Sequence, residues 1–353
     1  MSRDEARTQA LPVATATRLF AEAAESADVV ARQLADNAAR ARALGQALRA
    51  RPPRAVVTCA RGSSDHAATY AKYLIETHAR VLTASAAPSV SSVYGVEQDL
   101  RDCLLIAISQ SGQSPDLLAA VRAARASGAL VVALCNVADA PLVALAEHVL
   151  PLGAGREQSI AATKSYIASL SALAHLTAEW TADAGLLAAV RALPAALASA
   201  WQLDWTAALP LIAPAEHLYV IGRGMGLAVA QEAALKAKET CALHAEAYSG
   251  AEVRHGPFAL LGARFPALVF AQADAARAGL EQLAAELAAR GVPVALAGGE
   301  AAGTVRLPTV AVPAALAPIP LAASLYRLIV ELAIARGHDP DQPPFLRKVT
   351  ETV

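Results

Sequence analysis

Charge is scarce in this chain. Only 17% of its residues are Asp, Glu, Lys or Arg, and 30 basic side chains stand against 31 acidic ones. A net charge of −1 excludes a strongly basic nucleic-acid binder and an acidic, solvating tail protein. With 55% hydrophobic residues, global disorder is excluded too. Cysteine is equally scarce. Cys59, Cys103, Cys135 and Cys241 form no C-x-x-C pair and have no histidine at metal-ligand spacing. Three fall in or beside apolar runs, so reduced, buried thiols in a cytosolic, cytoplasmic protein are expected, with no structural zinc. A long apolar span is also missing, although mean hydropathy is +0.38. The longest uncharged stretch, Leu307 to Tyr326, carries Pro308, Pro313, Pro318 and Pro320, which would break a spanning helix repeatedly. A buried strand, a turn and the start of a core helix are expected there, and no membrane partner. At the N-terminus Arg3 and Arg7 mix with Asp4 and Glu5 without an apolar h-region, so neither a signal peptide nor a transit peptide is expected.

What is present is a regular alternation. At ~150 residues per domain, 353 residues suggest two domains or one doubled one. Residues 17–50 read as helix, ended by Arg51-Pro52-Pro53, and form a packing arm. Ala55–Ala60 reads as a strand, Arg61-Gly62-Ser63-Ser64 as a turn and Asp65–Thr77 as a helix. Cys103–Ile108 is a second strand, Ser109 to Ser114 a loop, Pro115 to about Ser127 a helix ended by Gly128, and Leu130–Leu134 a third strand. Strands separated by such helices mean βαβ units and a parallel sheet. The order then repeats: strand His217–Ile221, Gly222-Arg223-Gly224, helix from about Gly226 to Cys241, strand Ala267–Phe270, helix Ala275–Arg290, strand Val292–Ala297. Arg61-Gly62 recurs as Arg223-Gly224 at an offset of 162, as do Ile108 with Phe270 and Gln110 with Gln272. A duplicated α/β unit is expected.

The copies differ at one loop. The first reads Ser109-Gln110-Ser111-Gly112-Gln113-Ser114; the second reads Ala271-Gln272-Ala273-Asp274. Hydroxyls, an amide and free backbone N–H groups at a helix N-terminus suit a phosphate monoester without a lysine. The anion site is therefore expected in the first copy only. No G-x-x-x-x-G-K-[ST] occurs at this loop. Gly222, Gly224 and Gly226 are spaced G-x-G-x-G, not as a dinucleotide fingerprint. Neither a nucleotide nor any other cofactor is expected, nor a metal. The other dense feature runs from Glu232 to His255. Lys236 and Glu239 stand i, i+3 on one helix face among Ala233, Ala234, Leu235, Ala237 and Cys241. So apolar a setting leaves little room for a wide solvated face, and a functional pair near a buried sheet edge is expected.

In order along the chain stand Ala60-Arg61-Gly62-Ser63-Ser64, Ser109 to Asp116, Ala161-Ala162-Thr163-Lys164, Gly222-Arg223-Gly224, Ala234 to Glu239, His244 to Tyr248, His255-Gly256-Pro257, and the tail Asp341-Gln342-Pro343 to Lys348-Val349-Thr350. On these residues the chain resembles the sugar isomerase (SIS) domain family. Within it, the chain resembles the isomerase half of the glutamine–fructose-6-phosphate amidotransferases and the SIS-type glucosamine-6-phosphate deaminases. The resemblance runs over about residues 25 to 353. It implies an α/β fold of two tandem SIS subdomains, each a parallel sheet flanked by helices in the flavodoxin-like, doubly wound manner. The expected division is a helical arm 1–50, a first, phosphate-binding subdomain 51–200, a second subdomain 201–335 and an active-site tail 336–353.

The resemblance also implies roles. Ser109, Gln110, Ser111 and Ser114 would hold the sugar phosphate, with Ser64 beside them. Gly62, Glu157 and Ala161 would line the sugar. Glu239 would move the proton between C1 and C2, as a carboxylate can when partial burial raises its pKa. His255 would open the pyranose ring from the neighbouring subunit of a homodimer. Lys236 would lie against the substrate, and Lys348 would be the lysine associated with the open-chain carbonyl. The amidotransferases open with a glutaminase domain whose cysteine follows the initiator Met; here residue 2 is Ser2 and the first cysteine is Cys59. Glutamine hydrolysis by that route is not expected. The amidotransferase pattern has Thr at the place of Ser114 and Ser at that of Ala162. Ser114-Pro115-Asp116 and Lys348 to Thr352 look more like the deaminase branch. The expected activity is conversion of glucosamine 6-phosphate to fructose 6-phosphate and ammonia. The alternatives are another phosphorylated amino sugar, a deglycase, a glutaminase-lacking aminotransferase-like protein, or a non-catalytic sugar-phosphate-binding regulator.

Overall fold

The computed structural model describes residues 11–348. The segment holding Arg3 to Arg7 and the end of the tail from Val349 lie outside the described residues. Five strands, β1 (Val56–Cys59), β2 (Thr83–Ser85), β3 (Leu104–Ser109), β4 (Leu130–Cys135) and β5 (His148–Pro151), form one parallel sheet in the order β2-β1-β3-β4-β5. Five more, β6 (His217–Gly222), β7 (His244–Ser249), β8 (Ala267–Phe270), β9 (Val294–Ala297) and β10 (Val305–Leu307), form a second in the order β10-β9-β8-β6-β7. Counted from its own first strand, the second sheet has the order 2-1-3-4-5, the same as the first. This is the flavodoxin-like, doubly wound order, present twice.

The central strands are continuous apolar runs because helices cover both faces. All six residues of β3 are buried. The edge strands are shorter or more polar: β2 buries only Thr83, and β7 exposes His244 and Glu246. Helices α1 (Ser26–Ala50), α2 (Ser63–His78), α3 (Pro115–Ala126), α4 (Lys164–Thr181), α5 (Gly226–Cys241), α6 (Arg277–Ala289) and α7 (Pro318–Ala335) complete the frame. Pro115 takes the first position of α3 and Asp116 its first turn, where a missing N–H is harmless and a carboxylate faces the positive dipole end. Pro318 and Pro320 likewise start α7 instead of breaking it. The strand expected after Leu307 ends there, and the chain reaches α7 through a loop and a short 3-10 turn. The window around α7 is apolar and long enough to cross a membrane, but 78% of it is buried inside this fold.

The two halves share one core. Helices α2, α4, α5 and α7 pack against one another between the sheets, and one apolar cluster runs through both halves. Two buried phenols stitch the seam: Tyr70 Oη donates to Ala315 O at 2.8 Å, and Tyr166 Oη to Ala228 O at 3.2 Å. Every residue of α4 from Lys164 to Trp180 is buried. Each leucine in that stretch contributes roughly 1.5–3 kcal/mol by leaving water. The arm helix α1 packs along α4. Helix α5, which carries Lys236 and Glu239, therefore lies in the layer between the sheets, packed on β6 and on the edge strand β7.

Candidate active site

A cavity of about 370 Å³ opens beyond the C-terminal ends of β1 and β3. These strands are neighbours from which the order runs outward in both directions, and ligands of open α/β sheets bind at such a switch point. The turn Arg61 to Ser64, which follows β1, forms one wall, and Ser109, Gln110, Ser111 and Ser114, which follow β3, form another. Ile160, Ala162, Ser165 and Tyr166 come from the start of α4. Lys236 and Glu239 come from α5, and Leu346 to Lys348 from the tail.

Local sequence explains the serine loop. The Ser109 hydroxyl accepts from Gly112 N at 2.9 Å and folds the loop back on itself. Gly112 sits at φ +65°, and a Cβ there would lie 2.6 Å from Ala140 Cβ and 2.7 Å from Cys135 Sγ. Only glycine fits. Ser114 precedes α3 without spending its side chain on a capping bond. Ser63 begins α2 beside the same cavity. Two helix N-termini thus face one polar space, an arrangement that favours an anion. Asp116, in the first turn of α3 and 1% exposed, is held by Arg61: Nε and Nη2 donate to Oδ2 at 2.9 and 2.7 Å.

Opposite the serines lies a buried charge cluster. Lys236 Nζ donates to Glu239 Oε2 at 2.6 Å and stands 3.4 Å from Glu232 Oε1. Glu232 and Lys236 are fully buried, whereas the Glu239 side chain is 23% exposed at the cavity wall. Glu232 also accepts from the Ser63 hydroxyl at 3.2 Å and the Tyr326 hydroxyl at 3.0 Å, and meets His66 Nδ1 at 2.9 Å. Burial pushes Glu232 up, but the Lys236 ammonium and His66 outweigh it and hold the carboxyl below its ordinary range. Burial likewise works against the Lys236 ammonium, and Glu232 and then Glu239 overcome it, raising that group above an ordinary lysine.

The tail brings a second cation. Lys348 Nζ donates to Ser159 O at 2.7 Å and to Glu157 Oε2 at 3.3 Å. The Glu157 side chain is fully buried and accepts from Thr163 N at 3.0 Å, Ser165 N at 3.1 Å and Ser165 Oγ at 2.6 Å. It caps α4 and anchors Lys348 at once.

The structure thus gathers Gly62, Ser64, Ser109, Gln110, Ser111, Ser114, Lys236, Glu239 and Lys348 around one cavity. Three expected residues are not on its wall. Glu157 stands behind it, with its carboxylate spent on the α4 N-terminus and Lys348. Ala161 is fully buried, and its neighbours Ile160 and Ala162 face the cavity instead. His255 is exposed on the turn after Glu252–Arg254, in the second half, away from this wall. Sequence reasoning missed the Arg61–Asp116 pair and the membership of Glu232. Glu232, four positions before Lys236, was a usable signal; the Arg61–Asp116 contact spans 55 positions and was not.

In the second half the turn Arg223 to Met225 and Asp274 border a cavity of about 1110 Å³, and the loop after β8 offers an amide and a carboxylate in place of hydroxyls. Gln272 Nε2 donates to Arg223 O and to Asp274 Oδ2, both at 2.8 Å. A Cβ on Gly226 would fall 2.2 Å from Gln272 Oε1, so the amide fills that space. Among the described residues no three of His, Cys, Asp and Glu group so as to hold a metal ion.

A family model described as SIS domain matches residues 51–179 and 211–334. A glutamine–fructose-6-phosphate aminotransferase (isomerizing) of Aeropyrum pernix is 34% identical over 312 residues, covering 81% of this chain and 49% of that protein. The chain spans about half the length of the curated relatives it matches. Among solved structures, a protein from Silicibacter pomeroyi DSS-3 with a provisional phosphosugar isomerase name is 43% identical. Its TM-score is 0.88, covering 92% of this chain and 100% of that one. The C-terminal domain of glucosamine-fructose-6-phosphate aminotransferase from Francisella tularensis is 26% identical with a TM-score of 0.83, covering 93% and 98%.

Proposed function

The chain belongs to the SIS domain family, and on that premise we propose that it is an isomerase-type deaminase of a phosphorylated amino sugar, converting glucosamine 6-phosphate and water to fructose 6-phosphate and ammonia. The observation that carries this reading is the meeting of the serine loop, the Lys236–Glu239 pair and Lys348 in one cavity. The phosphate lies on Ser64, Ser109, Gln110, Ser111 and Ser114, against two helix N-termini. That anchors one end of the sugar and lays the other toward α5.

In the open-chain form, C1 is an aldehyde and C2 carries the amine. The Glu239 carboxylate takes the C2 proton while the carbonyl oxygen is protonated, giving a C1–C2 enolamine. Returning a proton to C1 leaves a C2 imine, the fructosimine. Water adds to C2 and ammonia leaves, giving the ketose. Lys236 pins Glu239 by one oxygen at 2.6 Å, which leaves the other for the proton. Lys348 holds the carbonyl end from the tail. His255 opens the ring from the partner subunit of a homodimer.

The test is release of ammonia and fructose 6-phosphate from glucosamine 6-phosphate by purified protein, with no glutamine added. Equimolar release, lost in Glu239→Ala, is the expected result; no release alongside tight sugar-phosphate binding would refute the deaminase. Mixing inactive His255→Ala with inactive Glu239→Ala chains should restore activity, and failure to do so would refute the shared site. The name of the curated relatives favours a second reading, in which the same site runs toward amination of fructose 6-phosphate. Glucosamine 6-phosphate formed from fructose 6-phosphate and added ammonia, faster than its breakdown under the same conditions, would support it.

A further inference from the structure

We propose that Arg61 is a substrate-binding residue, the cation that reads the charge of the phosphate, and that Asp116 exists to hold it there. This inference rests on the reading of the cavity as a sugar-phosphate site. The serine loop offers hydroxyls, an amide and backbone N–H groups, all of them neutral. A phosphate monoester brings close to two negative charges at neutral pH. Arg61 is the cation on the wall that the β1 and β3 turns make.

Three observations put its guanidinium at the wall of the cavity beside the serine loop. Arg61 stands at the C-terminal end of β1, directly before Gly62, and lines the cavity. Its guanidinium is bonded through Nε and Nη2 to Asp116, which is in the first turn of the helix that follows the serine loop. Its side chain remains 50% exposed while Asp116 is 1% exposed, so the acid is sunk in the wall and the guanidinium is at the surface of the cavity. Asp116 uses two of the five guanidinium N–H groups. Nη1 is in no hydrogen bond among the described residues and is the donor left for a phosphate oxygen.

The pairing also resolves a conflict of charge. A bare carboxylate in the first turn of α3 would repel the anion that this helix end is shaped to bind. Arg61 neutralises it, and the guanidinium N–H groups that Asp116 does not engage are left as donors toward the cavity. A lysine could supply the charge but not the planar fork that Asp116 engages.

The experiment is titration calorimetry with fructose 6-phosphate and with inorganic phosphate, on wild type, R61A, R61K and R61A/D116N. Thermal unfolding of each variant without ligand confirms that it is folded. Affinity for both probes should fall about tenfold or more in R61A, as expected for loss of a charge-assisted hydrogen bond at a half-exposed site. R61K should be intermediate. R61A/D116N should bind both probes more tightly than R61A, because it removes a negative charge that Arg61 no longer offsets beside the phosphate. Equal affinity of wild type and R61A, or a double variant no better than R61A, would overturn the proposal while leaving the sugar-phosphate reading in place. Failure of wild type itself to bind either probe would overturn both.

Discussion

Replacing Lys236 by methionine tests the buried charge cluster, and the structure sets both the size and the sign of the effect. Methionine keeps most of the volume and removes the ammonium. Glu232 would keep the Ser63 and Tyr326 hydroxyls and His66 but lose the cation 3.4 Å away. Removing one partner of a buried pair costs about 3–5 kcal/mol. The pH dependence is the sharper test. In the wild type the folded-state pKa of Glu232 is depressed, so its stabilisation is present above the unfolded value of about 4.3 and is lost as pH falls through the folded value. Lys236 is raised, so its stabilisation is full below the unfolded value of about 10.4 and is lost as pH rises through the folded value. Between about pH 5 and pH 8 this pair leaves stability flat. In Lys236→Met, burial becomes the dominant influence on Glu232 and lifts its pKa above the unfolded one. The folded state then binds more protons than the unfolded state. Stability falls as pH rises, by up to about 1.4 kcal/mol per pH unit. Urea unfolding of wild type, Lys236→Met and the double variant Glu232→Gln/Lys236→Met reads this directly. The single variant's penalty should grow with pH, and the double variant should be flat and more stable than the single at the alkaline end. A penalty independent of pH, or a double variant no more stable than the single, refutes the reasoning.

Gly112→Ala should cost more than ~2 kcal/mol, because the methyl meets Ala140 and Cys135 in a left-handed backbone conformation. It should also weaken sugar-phosphate binding by displacing the serine loop; an unchanged melting temperature with unchanged affinity would contradict this. Burial pushes the Cys59 and Cys241 thiols up to about 12, so neither should react with a thiol reagent in the folded protein at pH 8. Mass mapping after native labelling checks this, and fast modification of either cysteine would show that the core around it opens.

The central strands were legible in the sequence and the edge strands were not. β1, β3, β4, β6, β8 and β9 are covered on both faces and read as apolar runs. β2, β5, β7 and β10 flank the sheets. They are half-covered, so they lack that signature. β7 was read for its ionisable residues alone, and β10 was expected a few residues too late. Helix α4 escaped notice for the opposite reason. It is buried from Lys164 to Trp180, so it has no polar face to give a helical period.

The serine loop was legible because its chemistry is local: hydroxyls, a glycine and a helix start lie within a few residues, and the loop geometry follows from them. Lys236 and Glu239 were legible because an i, i+3 spacing puts them on one helix face wherever the helix goes. The sequence by itself therefore determined the duplicated strand–helix order and the residue types at each loop. Only the tertiary structure decided which loops share a cavity. Packing brought Glu232 to Ser63, His66 and Tyr326, Glu157 to Lys348, and Arg61 to Asp116. It kept Glu157, Ala161 and His255 off the wall that the other site residues form. Those contacts join residues dozens to hundreds of positions apart, and no periodicity or spacing encodes them. They arise when two like sheets bury a common layer of helices, and the depth of that layer makes the charges within it respond to one another.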